Sequence, residues 1–228
     1  MPISRSVWTW GVYAQALLLL LACGDSPRAP ASDSARTART APALTIPPPS
    51  ATPVRSPDSY RVKFATTKGD FVVSVNRALA PRGADRFYEL VTIGYFSQVR
   101  FYRIVPGFIV QFGIHGDPAV NTMWNAATIP DEPMRTSNTR GTVAFAAAGP
   151  NSRTTELFVS TGNNTRKLDG QRLFAPIGKV TSGLDIVETL NSEYGEQPNF
   201  ARIVRQGNAF LQRWYPALDY ITSATIER

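Results

Sequence analysis

The chain has 228 residues but only one histidine, His115, and one cysteine, Cys23. A zinc site built from several His or Cys ligands cannot be assembled from these, and neither can a disulfide or a Cys-x-x-Cys redox pair. A Ser-His-Asp triad would have to use His115, which stands in a Gly-Ile-His-Gly stretch, and no serine sits in a nucleophile-elbow context. His115 therefore reads as a loop histidine. No glycine-rich phosphate cradle occurs, so neither a metal nor a cofactor is expected. A basic run interleaved with aromatics is also missing. The formal charge of +7 comes from scattered arginines, which reads as a dispersed, solvated surface with no nucleic-acid partner.

What is present is enough for a core, since 43% of residues are hydrophobic and 11% aromatic. One run stands apart. Phe101 to Gln111 reads FYRIVPGFIVQ, an apolar strand carrying a single charge at Arg103, a turn at Pro106-Gly107, and a returning apolar strand. Charges are seldom placed where a strand pair buries both faces unless something polar meets them. Arginine cannot shed its proton, so Arg103 needs a partner, solvent or a ligand.

The N-terminus carries a different signal. A short region with Arg5 precedes an apolar stretch from Val7 that ends in five leucines and closes as Leu20-Leu21-Ala22-Cys23. That length suits the core of a signal peptide better than a membrane span. The ending resembles the bacterial lipobox, in which the cysteine is diacylated and becomes the first residue of the mature chain. Residues 1–22 are thus expected to be a lipoprotein signal peptide and Cys23 the lipid attachment site. An uncleaved membrane helix is the rival reading. Both place the remainder outside the cytoplasm, on the periplasmic side of the cell envelope, where a chain with no second cysteine needs no disulfide. Gly24 to Ser59 is rich in Pro, Ser, Ala and Thr, so 23–59 reads as the lipidated N-terminus and an extended, disordered linker.

Residues 60–228 are expected to be the folded domain, and a monomer. Arg61 to Thr66 and Phe71 to Asn76 alternate around a Thr67-Lys68-Gly69-Asp70 turn, as a hairpin does. Pro81 opens a helical pattern with Ala84, Phe87, Tyr88 and Val91 on one face and Gly94 as a stop. Gly113 to Asn138 reads as loop. Short strands follow at Thr142 to Ala146, Leu157 to Thr161 and Phe174 to Val180. Then come a helix near Leu184 to Leu190, a helical pattern at Ile203, Phe210, Leu211 and Trp214, and a last strand within Asp219 to Ile226. Many short strands with two widely separated helices suggest an antiparallel barrel plugged by helices.

FYRIVPGFIVQFG (Phe101 to Gly113), GTVAFAAAGPNSRTTELFV (Gly141 to Val159) and LDGQRLFAPIGKV (Leu168 to Val180) together resemble the cyclophilin family of peptidyl-prolyl cis-trans isomerases. The likeness covers about Tyr60 to Asn191, with a bacterial flavour in SNTRGT at Ser137. It implies an all-β fold: an eight-stranded closed antiparallel barrel capped by two helices, here with an extra C-terminal helix. It also implies a groove on the outer face that takes proline-containing polypeptides. Arg103 matches the arginine that donates to the prolyl nitrogen, Phe108 a wall of the proline pocket, and Gln111 a glutamine that bonds the substrate backbone. Ile109, Phe158 and Leu168 match the rest of the pocket, and Ala146 and Ala147 the groove wall. Such rotation needs no covalent intermediate or metal, which agrees with the scarcity of His and Cys.

The match departs at Glu156, where the family has a second groove glutamine, and at Ala147, in place of an asparagine. Lys167 replaces a frequent tryptophan, and the usual groove histidine has no counterpart near Arg172 and Leu173. Glu156 is expected close enough to pair with Arg103. The resemblance implies an isomerase acting on exported proteins, anchored through Cys23. The alternative is a catalytically weak proline-peptide-binding module or chaperone on the cell envelope, and a purely structural envelope lipoprotein leaves the groove residues without a reason.

Overall fold

The computed structural model describes residues 45–52 and 54–227. The signal peptide read at 1–22, the lipid site at Cys23 and the linker up to residue 44 lie outside the described residues. Two alternating runs pair as β1 (Ser59–Thr66) and β2 (Asp70–Asn76), with Val62 and Phe64 against Val73 and Phe71. Their inward residues form one side of the core, where Phe64 stacks on Phe71 at 4.8 Å. Pro81 opens α1 (Pro81–Thr92), which buries Ala84, Phe87, Leu90 and Val91 in that core and leaves Tyr88 half-buried. The sheet continues through β3 (Arg103–Val105), β4 (Ile109–Phe112), β5 (Thr142–Phe145), β6 (Leu157–Ser160), β7 (Pro176–Ser182) and β8 (Ile221–Glu227), all in antiparallel pairs.

The strand order is β3-β4-β6-β5-β7-β2-β1-β8. This corrects the expected closed barrel, because β3 and β8 are edges and do not pair with each other. Two sets of contacts stand at this seam, one bridging it ahead of β3 and one diverting β3 itself. The chain ahead of β3 takes the start of β8: Gln98 N donates to Ile221 O, Ile221 N to Val99 O, and Phe101 N to Asp219 O. The backbone N–H of Ile104 in β3 itself donates to Gly195 O at 3.2 Å. The result is a curled eight-stranded sheet, a half-barrel.

The all-β class is corrected as well, since the architecture is mixed. Besides α1 there are α2 (Pro118–Asn125), α3 (Thr165–Leu168), α4 (Leu184–Glu188) and α5 (Phe200–Trp214). The segment read as loop between Gly113 and Asn138 hides α2. Asp117 caps it by accepting from Ala119 N at 2.8 Å, Pro118 opens it, and Val120 and Trp124 are buried. The extra C-terminal helix is present as α5, in two pieces around Gly207 at φ +57. A Cβ there would stand 2.0 Å from Gly116 O, so the helix can cross the 113–118 loop only where no side chain intervenes. Ile203, Phe210 and Leu211 of α5 form a second small core with Tyr102, Ile114 and Leu218.

The linker reading ends too late. Ile46 is buried in the main core, Pro47 O accepts from Trp124 Nε1, and Ser50 N donates to Glu89. Ser56 bonds Asp85 through both its N–H and its hydroxyl. The folded part therefore begins by residue 46, where one isoleucine finds an apolar slot.

A buried ion pair fixes the loop behind the groove. Arg153 is wholly buried, and its Nη1 and Nη2 each lie 3.2 Å from Glu132 Oε2. Glu132 also accepts from Arg82 N at 2.6 Å and Gly83 N at 2.9 Å, the first N–H groups of α1. One carboxylate thus caps a helix and neutralises a buried arginine. A second carboxylate, Asp131, lies farther off at 3.7 Å from Arg153 Nε, so removing Glu132 leaves the buried arginine poorly compensated. Glu132→Ala is expected to lower stability by about 3–5 kcal/mol in urea unfolding, with a loss under about 1 kcal/mol counting against this role.

Candidate active site

The pleat of the sheet sorts the functional residues. In β4, Val110 and Phe112 enter the main core while Ile109 joins a separate outer cluster with Ala144, Phe158 and Leu168. Successive strand residues point to opposite faces, so register decides which outer residues meet. Arg103 pairs with Gln111, Gln111 with Phe158, and Phe158 with Ala144. Four strands therefore contribute one straight row to the outer face.

Arg103, Gln111 and Phe158 of that row floor a pocket of ≈ 260 Å³. Arg103, Phe108, Ile109, Gln111, Phe158 and Leu168 line it, together with Ala146 and Ala147, so eight of the expected residues converge on one cavity. Phe174 adds a wall that the sequence reading missed, packed edge-on against Phe158 at 5.8 Å. Its only sequence signal is its place at the head of the Phe174 to Val180 run. Lys167, which stands where tryptophan is frequent, sets its ammonium over the Phe108 ring at 4.6 Å.

The Pro106-Gly107 turn holds Phe108 in place. Its carbonyl accepts from Thr161 N at 2.9 Å and from Asn164 Nδ2 at 2.8 Å. A Cβ on Gly162 would come within 2.1 Å of Gly107 O, so this close docking of turn on loop requires glycine.

Glu156 does not lie in this pocket, and it does not pair with Arg103 as expected. It opens instead onto an adjoining pocket of ≈ 440 Å³ that shares Gln111, Ala146 and Ala147 and is walled on one side by Phe200. Gln111 stands between the acid and the arginine. Its Oε1 accepts from Arg103 Nη1 at 3.0 Å, and its Nε2 donates to Glu156 Oε2 at 3.2 Å. The buried Tyr102 hydroxyl also donates to Glu156. The acid that does meet Arg103 is Glu196, whose Oε1 lies 2.7 Å from Nε and 2.5 Å from Nη2. Tyr102, Glu196 and Phe200 escaped the sequence reading because their positions depend on how α5 folds back. His115 accepts from Asp117 N at 3.0 Å ahead of α2 and lines neither pocket.

An arginine has five N–H donors. Two of those of Arg103 are committed by hydrogen bonds, Nε to Glu196 and Nη1 to Gln111, and Nη2 lies 2.5 Å from the same Glu196 oxygen. One donor on each terminal nitrogen is left for a ligand at an apolar pocket. None of the described residues lining it is a nucleophile, so the arrangement can stabilise charge or a lone pair but cannot form a covalent intermediate from these residues.

Residues 61–208 match the model of the cyclophilin type peptidyl-prolyl cis-trans isomerase/CLD family. The chain belongs to the cyclophilin family. Its activity is peptidyl-prolyl cis-trans isomerisation. It is similar to peptidyl-prolyl cis-trans isomerase A of Dickeya dadantii, at 26% identity over 58% of this chain and 72% of that one. It is also similar to a peptidyl-prolyl cis-trans isomerase of Acinetobacter baylyi, at 29% over 60% and 77%. A probable isomerase of Brucella abortus is 30% identical over 60% and 76%. Among solved structures, a cyclophilin type isomerase of Cryptosporidium parvum superposes with a TM-score of 0.57 at 19% identity, covering 75% of this chain and 98% of that one. That likeness supports the cyclophilin fold.

Burial pushes the Glu156 carboxyl up from 4.5 to about 7, against the hydrogen bonds from Tyr102 and Gln111 that favour the carboxylate. Between pH 4.5 and about 7 the folded cyclophilin therefore keeps a proton that the unfolded chain has released. Stability falls as pH rises across that window and levels off above it. Glu156→Gln removes this component. Its stability advantage over wild type is expected to grow from near zero below the window to about 3 kcal/mol above it, in urea unfolding at a series of pH values. A pH-independent difference would contradict the assignment.

Proposed function

We propose that this isomerase works on the extracytoplasmic side of the cell envelope, held by a lipid on Cys23, and speeds X-Pro rotation in exported polypeptides as they fold. The location rests on sequence: an apolar core ending in Leu20-Leu21-Ala22-Cys23, the only thiol in the chain at that point, and a Pro/Ser/Ala/Thr-rich segment after it. Several acyl chains anchor stably where one binds marginally.

The residue roles rest on one observation, the two uncommitted donors of Arg103 at the apolar pocket. An X-Pro bond turns slowly because amide resonance puts a barrier of about 20 kcal/mol between cis and trans. Twisting breaks that resonance and returns a lone pair to the prolyl nitrogen. In this reading the proline ring sits against Phe108, Ile109, Phe158 and Leu168, and Arg103 donates to that lone pair. The contact strengthens only as the bond twists, so it lowers the barrier more than it tightens ground-state binding. Each ~1.4 kcal/mol so gained is about tenfold in rate. Gln111 holds Arg103 from one side and stands beside the substrate backbone, while Ala146 and Ala147 keep the groove open and Glu156 bounds its far end. A proline-containing peptide as ligand is supported by the crystal structure of the Cryptosporidium parvum relative in the presence of the dipeptide Ala-Pro.

Exchange spectroscopy on an Ala-Pro peptide tests the roles. Arg103→Ala is expected to lose about 10²–10³-fold in catalysed exchange while unfolding as wild type does. Saturable peptide binding by wild type without faster exchange would select the chaperone reading. For the anchor, wild type expressed in a bacterium is expected in the membrane fraction with a diacylated N-terminal cysteine by mass spectrometry. Cys23→Ser should lack the modification, and an unmodified Cys23 in wild type would defeat the lipoprotein reading.

A further inference from the structure

Residues 192–199 join α4 to α5 along the open edge of β3. Their backbone is pinned at several points. Gly195 O accepts from Ile104 N, the residue after Arg103, and Gly195 N donates to Ser192 O at 3.0 Å. Gln197 N donates to Tyr194 O at 2.9 Å, and Gln197 O accepts from the Tyr215 hydroxyl at 3.1 Å. The Tyr194 and Tyr215 rings meet edge-on at 5.2 Å. Asn199 then caps α5 by accepting from Arg202 N at 3.0 Å. A turn with this many anchors holds the Cα of Glu196 fixed, although the side chain it carries is exposed.

That side chain reaches back over one edge of the Arg103 guanidinium, touching Nε and Nη2, while Gln111 takes Nη1 from the other side. An ion pair as exposed as this adds little to stability. Its consequence is orientation. A guanidinium is a planar fork on a flexible stem, and fixing it from two sides decides where its remaining donors point. With Gln111 alone, the plane can still swing about the Nη1 contact.

We propose that Glu196 is a positioning residue for the isomerisation, holding Arg103 with its two free donors aimed at the prolyl nitrogen. It acts through Arg103 and touches no substrate. Because misorientation of a catalytic group costs rate more than binding, the signature lies in kcat. Line-shape exchange measurements on an Ala-Pro peptide with full-length protein should show Glu196→Ala losing about tenfold in kcat with KM within about twofold. Glu196→Gln, which keeps an acceptor oxygen, should recover much of that loss. In an Arg103→Ala background, Glu196→Ala should cost nothing further. Thermal unfolding of Glu196→Ala should match wild type. An unchanged or faster kcat in Glu196→Ala overturns the proposal. So does an equal loss with and without Arg103, or a loss that appears only as a rise in KM.

Discussion

The two-residue repeat of the pleated strand is the constraint on which the rest of this structure depends. In β3 to β6 the inner face of the sheet is covered by the aromatic core, and the outer face meets Leu168 of α3 and Phe174 around the pocket. A register slip of one residue would send Val110 and Phe112 to the groove and bury Gln111 among phenylalanines. Because the pairing runs Arg103 to Gln111 to Phe158 to Ala144, a charge, an amide, a ring and a methyl are laid side by side on rigid backbone. The apolar pocket lies on the outer face of that row.

Around this row, charge is handled in three different ways. Arg153 is wholly buried and meets Glu132, whose carboxylate also serves the first turn of α1. That pair belongs to the scaffold, since without Glu132 the buried arginine keeps only the more distant Asp131 in a poor dielectric. Glu156 is met by a tyrosine hydroxyl and an amide but no cation, so burial outweighs them and the proton stays on longer. Arg103 is left half-buried between Gln111 and Glu196 with donors to spare. Arg103 therefore keeps donors to spare where a ligand at the pocket can use them.

Much of this was legible because it is local. Alternation marked β1 and β2, Pro81 opened α1, and the lone arginine in FYRIVPGFIVQ pointed to the groove. Three things were not. The closed barrel failed because the backbone of Ile104 in β3 bonds Gly195, and β8 is met only by the chain ahead of β3, pairings distant in sequence that no periodicity reveals. The helix α2 was hidden among Gly, Pro, Asn and Asp, although Asp117-Pro118 is a sound start signal. The end of the linker was misjudged at Ile46, whose burial depends on Trp124 and the core beside it.

Sequence by itself determined the class of chemistry. One histidine and one cysteine left few catalytic options, and the arginine, the turn and the apolar residues around it selected a cyclophilin groove. Tertiary structure decided which acid meets that arginine. Glu156 is the closer match by family pattern, but Gln111 separates the two, and Glu196 arrives from a turn 93 residues away along the chain. A pairing between exposed side chains so far apart is fixed by where the backbone returns. Here the returning turn is held to the edge of β3 by its own hydrogen bond.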